Sequence, residues 1–213
     1  MALANYTDLQ TSVSGHLRRS DLTSLIPDFI AMGEARLNRV LRLLQQETIQ
    51  TLTASTTTRF VALPSNFLEA INLTMIVSDY PQAIYPVAAD KMDEVRFDQQ
   101  AVPRYYRISD QIEFDCFADQ AYSLKLRMFK RWNLATDTTN WLMTNNPDCY
   151  IYASLIAASP YIKDDSRLET WRALLTAAIE EANDLDSRTR ADTIATLDLG
   201  VLSRGRYDIQ RDA

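Results

Sequence analysis

The chain has 213 residues, 46% apolar and 23% charged, with a formal charge of −6 and only four glycines. That length allows one large domain or two small ones with a substantial core. The negative charge disfavours non-specific adhesion to DNA or anionic membranes, and the scarcity of glycine argues against phosphate-cradling loops and for long helices.

The first residues, Met1 to Tyr6, carry neither a charged n-region nor an apolar h-region, so no signal peptide is expected. Leu9, Val13 and Leu17 recur at four-residue spacing behind Thr7, which reads as the N-cap of a first helix. Pro27 suits the first turn of a second, longer helix, where its missing N–H costs nothing. Along it Ile26, Ile30, Gly33, Leu37, Val40 and Leu44 form a seam of three- and four-residue spacings. Gly33 within that seam permits close approach of a neighbouring helix. Arg36, Arg39 and Arg42 lie away from it, toward solvent or a partner.

From Glu47 to Trp132 the chemistry changes to strands and turns, punctuated by Pro64, Pro81, Pro86 and Pro103. Thr48–Ala54, Phe60–Leu63 and Ile71–Val77 read as strands, and Asp90–Phe97 as a short helix. Arg104–Ile108, Ile112–Phe117 and Ser123–Arg131 read as a three-stranded meander. Its odd-length loops set Ile112, Phe114 and Cys116 opposite Met128, Leu126 and Leu124. The same register sets Glu113 opposite Arg127, Asp115 opposite Lys125, and Arg107 beside Glu113.

Helix returns after Asn140. Asn146 and Pro147 read as an N-cap followed by a first-turn proline, and Cys149–Ser159 is apolar nearly all round, so this helix should be central. Ser166 and Glu169 read as a capping box before a last helix with the seam Leu168, Trp171, Leu175, Ala178, Ala182 and Leu185. Beyond Arg188 the periodicity fails, and Ser187–Ala213 reads as an extended arm that takes its structure from a partner. The fold class expected is therefore α+β: a helical bundle with an inserted antiparallel β-rich subdomain and an extended C-terminal arm. Its divisions are residues 1–46 and 133–186 for the bundle, 47–132 for the insertion and 187–213 for the arm.

No constellation of residues in the sequence is suited to catalysis. The one histidine, His16, has no nucleophile elbow to serve, and no zinc spacing or nucleotide-binding glycine loop occurs. Cys116 and Cys149 form either one disulfide or two buried free thiols, the latter suiting a reducing compartment. Glu113 and Asp115 share a strand face, but Arg107, Lys125 and Arg127 are expected to neutralise them. No catalytic residue, cofactor or metal site is assigned. The apolar stretches Leu68–Val77 and Tyr150–Ala158 are too short to span a bilayer.

The order of segments nevertheless carries a resemblance. Tyr6-Thr7-Asp8-Leu9, Arg19-Ser20-Asp21-Leu22 and the proline-led helix with Glu34-Ala35-Arg36-Leu37-Asn38-Arg39 open the pattern. It continues in Ala62–Glu69, Pro103-Arg104-Tyr105-Tyr106, Asn140-Trp141-Leu142, Thr144–Tyr152 and Ala158–Trp171. In this collective pattern, from about Ala4 to Leu185, the chain resembles the head-to-tail adaptor proteins of podovirus-type phages. The resemblance implies a structural virion protein in a ring of twelve, docked on the portal and carrying the tail nozzle or tube. It implies DNA passing through the lumen without specific binding, and no membrane partner. The C-terminal arm would then reach the portal, with Leu199, Val201, Leu202, Tyr207 and Ile209 as its apolar anchors. Two competing readings are a tail-associated peptidoglycan hydrolase, which needs a carboxyl of raised pKa in a cleft, and a DNA-binding regulator, which the acidic balance disfavours.

Overall fold

The computed structural model of the chain describes residues 3–162 and 166–202, with residues 192–202 as backbone alone. In chain order the elements are α1 (Tyr6–Leu17), α2 (Ile26–Val40), β1 (Glu47–Thr53), β2 (Phe60–Ala62), β3 (Phe67–Val77), β4 (Tyr80–Ala83), β5 (Tyr85–Pro86), α3 (Ala89–Val95), β6 (Gln100–Ala101), β7 (Tyr105–Ile108), β8 (Gln111–Phe114), β9 (Phe117–Ala118), β10 (Ser123–Lys130), α4 (Leu134–Asp137), α5 (Trp141–Asn145), α6 (Pro147–Ala158) and α7 (Leu168–Leu202). The fold is α+β. It divides into a helical unit, residues 1–44 with 133–213, and a β-rich unit, residues 45–132.

In the helical unit, α1 buries Leu9, Val13 and Leu17 as its spacing requires. Its cap is Asn5 rather than Thr7: the Asp8 N–H donates to Asn5 Oδ1 at 3.0 Å. Asn5 is in extended conformation, while Thr7 already belongs to the first turn. α2 starts with Pro27 in its first turn and buries Ile26, Ile30, Gly33 and Leu37. The expected seam then breaks, because α2 ends at Val40, which is 53% exposed, and the chain turns extended at Leu41. Leu41 and Leu43 enter the core instead. Once the backbone leaves the helix, a helical period no longer tells which side chains turn inward.

α6 is the centre of this unit. It packs against α1, α2, α5 and α7, and buries Cys149, Tyr150, Ile151, Ala153, Ser154, Leu155 and Ala158. Asn146 occupies its N-cap position without a side-chain capping bond, and Asn146 Oδ1 is buried without a hydrogen-bond partner. α7 buries Trp171, Leu175, Ala178 and Ala182 against this core, but its next buried residue is Asp186, and Leu185 is 42% exposed. A straight helix of 3.6 residues per turn drifts off a strict three-four alternation, so the step after Ala182 is four residues. The backbone of α7 then continues to Leu202, so residues 187–202 prolong the helix where the periodicity had suggested an extended arm. Good helix formers such as Arg188, Arg190, Ala191, Ala195 and Leu197, with no glycine before Gly200, account for that continuation.

In the β-rich unit two four-stranded sheets run in the orders β1-β10-β3-β4 and β2-β8-β7-β5, and β6 pairs with β9. Most pairings are antiparallel; β5–β7 and β6–β9 are parallel. The β7–β8 hairpin has the expected register, with Arg107 opposite Glu113. The third strand of the expected meander is elsewhere: β10 pairs with β1 and β3, and β8 with β2. Ile112 and Phe114 of β8 and Leu124, Leu126 and Met128 of β10 meet in one core, but from different sheets. Alternation specified the buried face of β10 correctly and left its hydrogen-bonded neighbours open, whereas in β8 Glu113 is buried along with Ile112 and Phe114.

Candidate assembly surfaces

The groups best suited to chemistry are dispersed and neutralised. His16 is exposed near the end of α1 and donates from Nδ1 to the Ser12 carbonyl at 2.8 Å. It lines an open depression of about 620 Å³ together with Arg18 and Arg167, with no carboxylate among the described lining residues. Cys116 and Cys149 are free and buried. Burial pushes their thiols up, to about 11 and about 12, so neither is a nucleophile near neutral pH. Among the described residues no group of three histidine, cysteine or acidic side chains is placed to hold a metal ion, and no helix is long and apolar enough to cross a membrane.

The strand carboxylates are also engaged, though not by the partners that the meander register implied. Glu113 takes a hydrogen bond from Arg96, at the end of α3, and lies 3.8 Å from Arg107. Asp115 is 2% exposed and accepts the Arg104 N–H at 3.2 Å. Arg127 is 4.0 Å from Glu47 on the adjoining strand β1. Arg107 therefore flanks Glu113 as expected, Arg96 stands where Arg127 was expected, and Asp115 is met by a main-chain N–H instead of Lys125.

Two buried acids escaped the reading of the sequence. Glu34 is 7% exposed inside the helical unit. Its Oε1 accepts the Leu134 N–H at 3.0 Å and the Tyr150 hydroxyl at 3.2 Å, while Tyr150 accepts from Asn140 Nδ2 at 2.7 Å. Burial is the main cause that raises the Glu34 carboxyl to about 7, opposed by those two hydrogen bonds; Asp137 nearby adds to the rise. A carboxyl of raised pKa is what a glycosidase acid needs, but this one is sealed by main chain and phenol instead of facing a cleft. Asp186 accepts the Leu44 N–H at 2.6 Å through Oδ1 and the Arg190 Nε–H at 2.6 Å through Oδ2. It thereby ties α7 to the segment that follows α2. Both acids fall on the buried seams, Glu34 four residues after Ile30 and Asp186 four after Ala182, and that position was the signal available in the sequence.

What the helical unit offers outward is two unlike faces. α2 and α7 both pack on α6. The outer face of α2 exposes Ala31, Met32, Ala35, Arg36, Arg39 and Val40. The outer face of α7 exposes Leu174, Ala177, Glu180, Glu181, Asp184 and Leu185. Arg36, Arg39, Glu180, Glu181 and Asp184 form no ion pair with any described residue. The expectation that Arg36 and Arg39 look outward holds for both; Arg42 is half-buried and donates to the Asn38 and Leu41 carbonyls.

Of the residues assigned to portal contact, Leu199, Val201 and Leu202 lie in the last turns of α7, where the backbone alone is described. Tyr207 and Ile209 lie outside the described residues, as do Asp164 and Asp165. A family model described as SU10 adaptor protein matches residues 4–197. No curated protein matches the chain.

Proposed function

The chain belongs to the SU10 adaptor protein family, and on that premise we propose that this phage structural adaptor joins portal to tail as a ring of copies, most simply twelve. The single observation that carries the reading is the family match over nearly the whole chain. The engaged carboxylates, inert thiols and solvent-facing histidine support a non-catalytic role, and the two unlike outer faces of the helical unit support self-assembly. In this reading the ring docks on the portal, carries the tail nozzle or tube, and lets DNA through its lumen. An acidic chain suits that passage, since the polyanion slides rather than adheres. The assembled protein resides in the virion, at the junction of head and tail, after assembly in the host cytoplasm.

The carboxyl-terminal segment, residues 187–213, is the portal-binding element of this proposal. Leu199, Val201, Leu202, Tyr207 and Ile209 are its anchors. Arginines and aspartates nearly balance along it, so docking depends on apolar burial with modest salt sensitivity. A single copy binds weakly and a ring of copies gains by multivalency.

The test is a solution mass measurement of the full chain, alone and with portal, beside a chain that ends at Ala191. That end point keeps the Asp186–Arg190 pair and removes all five anchors. A ring from the full chain and weakened portal binding by the shortened one are expected. Undiminished portal binding by the shortened chain would remove the segment from the interface. Cell-wall turnover abolished by one carboxylate substitution would replace the structural reading with the hydrolase one.

A further inference from the structure

We propose that the outer face of α2 on one copy of the chain packs against the outer face of α7 on the next copy, head to tail. The inference rests on the ring reading and supplies the surface by which that ring closes.

The two faces are different surfaces on different helices, so a contact between them is heterologous. Such a contact repeats from copy to copy and generates a ring when its rotation closes. An α2–α2 contact would set Arg36 and Arg39 against themselves, and an α7–α7 contact would do the same with Glu180, Glu181 and Asp184. Only the mixed pairing joins unpaired cations to unpaired carboxylates.

The apolar residues match the same pairing. Met32 and Val40 on α2 are 47% and 53% exposed, and Leu174 and Leu185 on α7 are 40% and 42% exposed. Each helix thus presents an apolar residue, then charges, then a second apolar residue. The span is about 12 Å along α2 and about 17 Å along α7 at 1.5 Å per residue. Side by side, the basic centre of one stripe meets the acidic centre of the other while the apolar ends cover each other. Ala31, Ala35 and Ala177 keep both faces low, so the helices can approach closely.

The experiment is a charge exchange read by solution mass. One variant carries Arg36→Glu and Arg39→Glu; a second carries Glu181→Lys and Asp184→Lys. Each alone faces like charge with like charge and is expected to lose association by about tenfold or more. All four positions are exposed, so thermal unfolding should not change. Mixing the two variants in equal amounts should restore assembly, because alternating copies are complementary at every contact; so should all four changes in one chain. Should a reversal disturb folding, Arg36→Gln with Arg39→Gln takes its place and should weaken association with unchanged unfolding. Variants that assemble like the wild type, or fail to recover on mixing, overturn this interface while leaving the ring intact. A wild-type chain that stays monomeric both alone and with portal overturns the ring reading and this inference together.

Discussion

Tyr150 donates its hydroxyl hydrogen to Glu34 Oε1 at 3.2 Å, joining α6 to α2 through a buried carboxyl group that also accepts the Leu134 N–H. Glu34 titrates near 7 in the fold and near its ordinary value of 4.5 when unfolded. The native state therefore holds the proton more tightly between those limits. Its contribution to stability is full below about pH 4.5 and is lost as pH rises through about 7. Glu34→Gln keeps an acceptor oxygen and cannot ionise. In denaturant titrations at several pH values the variant should lack this decline, and at pH 8 should exceed the wild type by roughly 1–3 kcal/mol. A wild-type minus variant difference that stays flat from pH 4 to pH 8 would contradict the assignment.

Gly33 packs directly on the backbone of α6. A Cβ at this position would lie 2.9 Å from both the Ala153 carbonyl carbon and the Ser154 nitrogen. Alanine would gain about 1 kcal/mol of helix propensity. Against rigid main chain, however, overpacking costs typically 1–3 kcal/mol or more. Gly33→Ala should be net destabilising in equilibrium unfolding, and a stabilised variant would show that α2 can slide on α6.

Trp171 is 6% exposed at the start of the α7 seam, and the Arg167 guanidinium stacks over its ring at 4.9 Å. Trp171→Ala should cost about 3–5 kcal/mol, the range for emptying a large aromatic site. Trp171→Phe should recover a good part of that loss. A negligible effect of the alanine substitution in thermal or chemical unfolding would place the ring outside the core.

The β3–β4 hairpin turns through Ser78 and Asp79, both at positive φ, 49° and 68°. A two-residue turn with both residues left-handed favours Asn-Gly, and serine is poorly suited to the first position. Ser78→Asn with Asp79→Gly should stabilise the protein by about 0.5–1 kcal/mol, measured as a higher denaturant midpoint at unchanged slope. A lower midpoint would mean that the native side chains hold the turn in a way the backbone does not reveal.

The sequence alone was sufficient for whatever depends on near neighbours. The helical seams through Ile30, Gly33 and Leu37 and through Trp171, Leu175 and Ala178, the first-turn Pro27, the Arg107–Glu113 hairpin and the alternation along β10 are all short-range patterns, and all are present in the fold. The collective pattern that resembles phage adaptors was legible for the same reason, as an order of segments. Tertiary structure alone decided that β10 lies between β1 and β3, that Val40 and Leu185 face outward, and that Glu34 and Asp186 are buried. Strand alternation specifies a face but not a partner, because pairing is settled by which distant strand completes the core. A helical period likewise drifts by a residue over several turns, and that drift is enough to exchange Leu185 for Asp186 at a buried position. The carboxyl groups could go inside only because Leu134, Tyr150, Leu44 and Arg190, remote in sequence or on the next turn, bring donors to meet them.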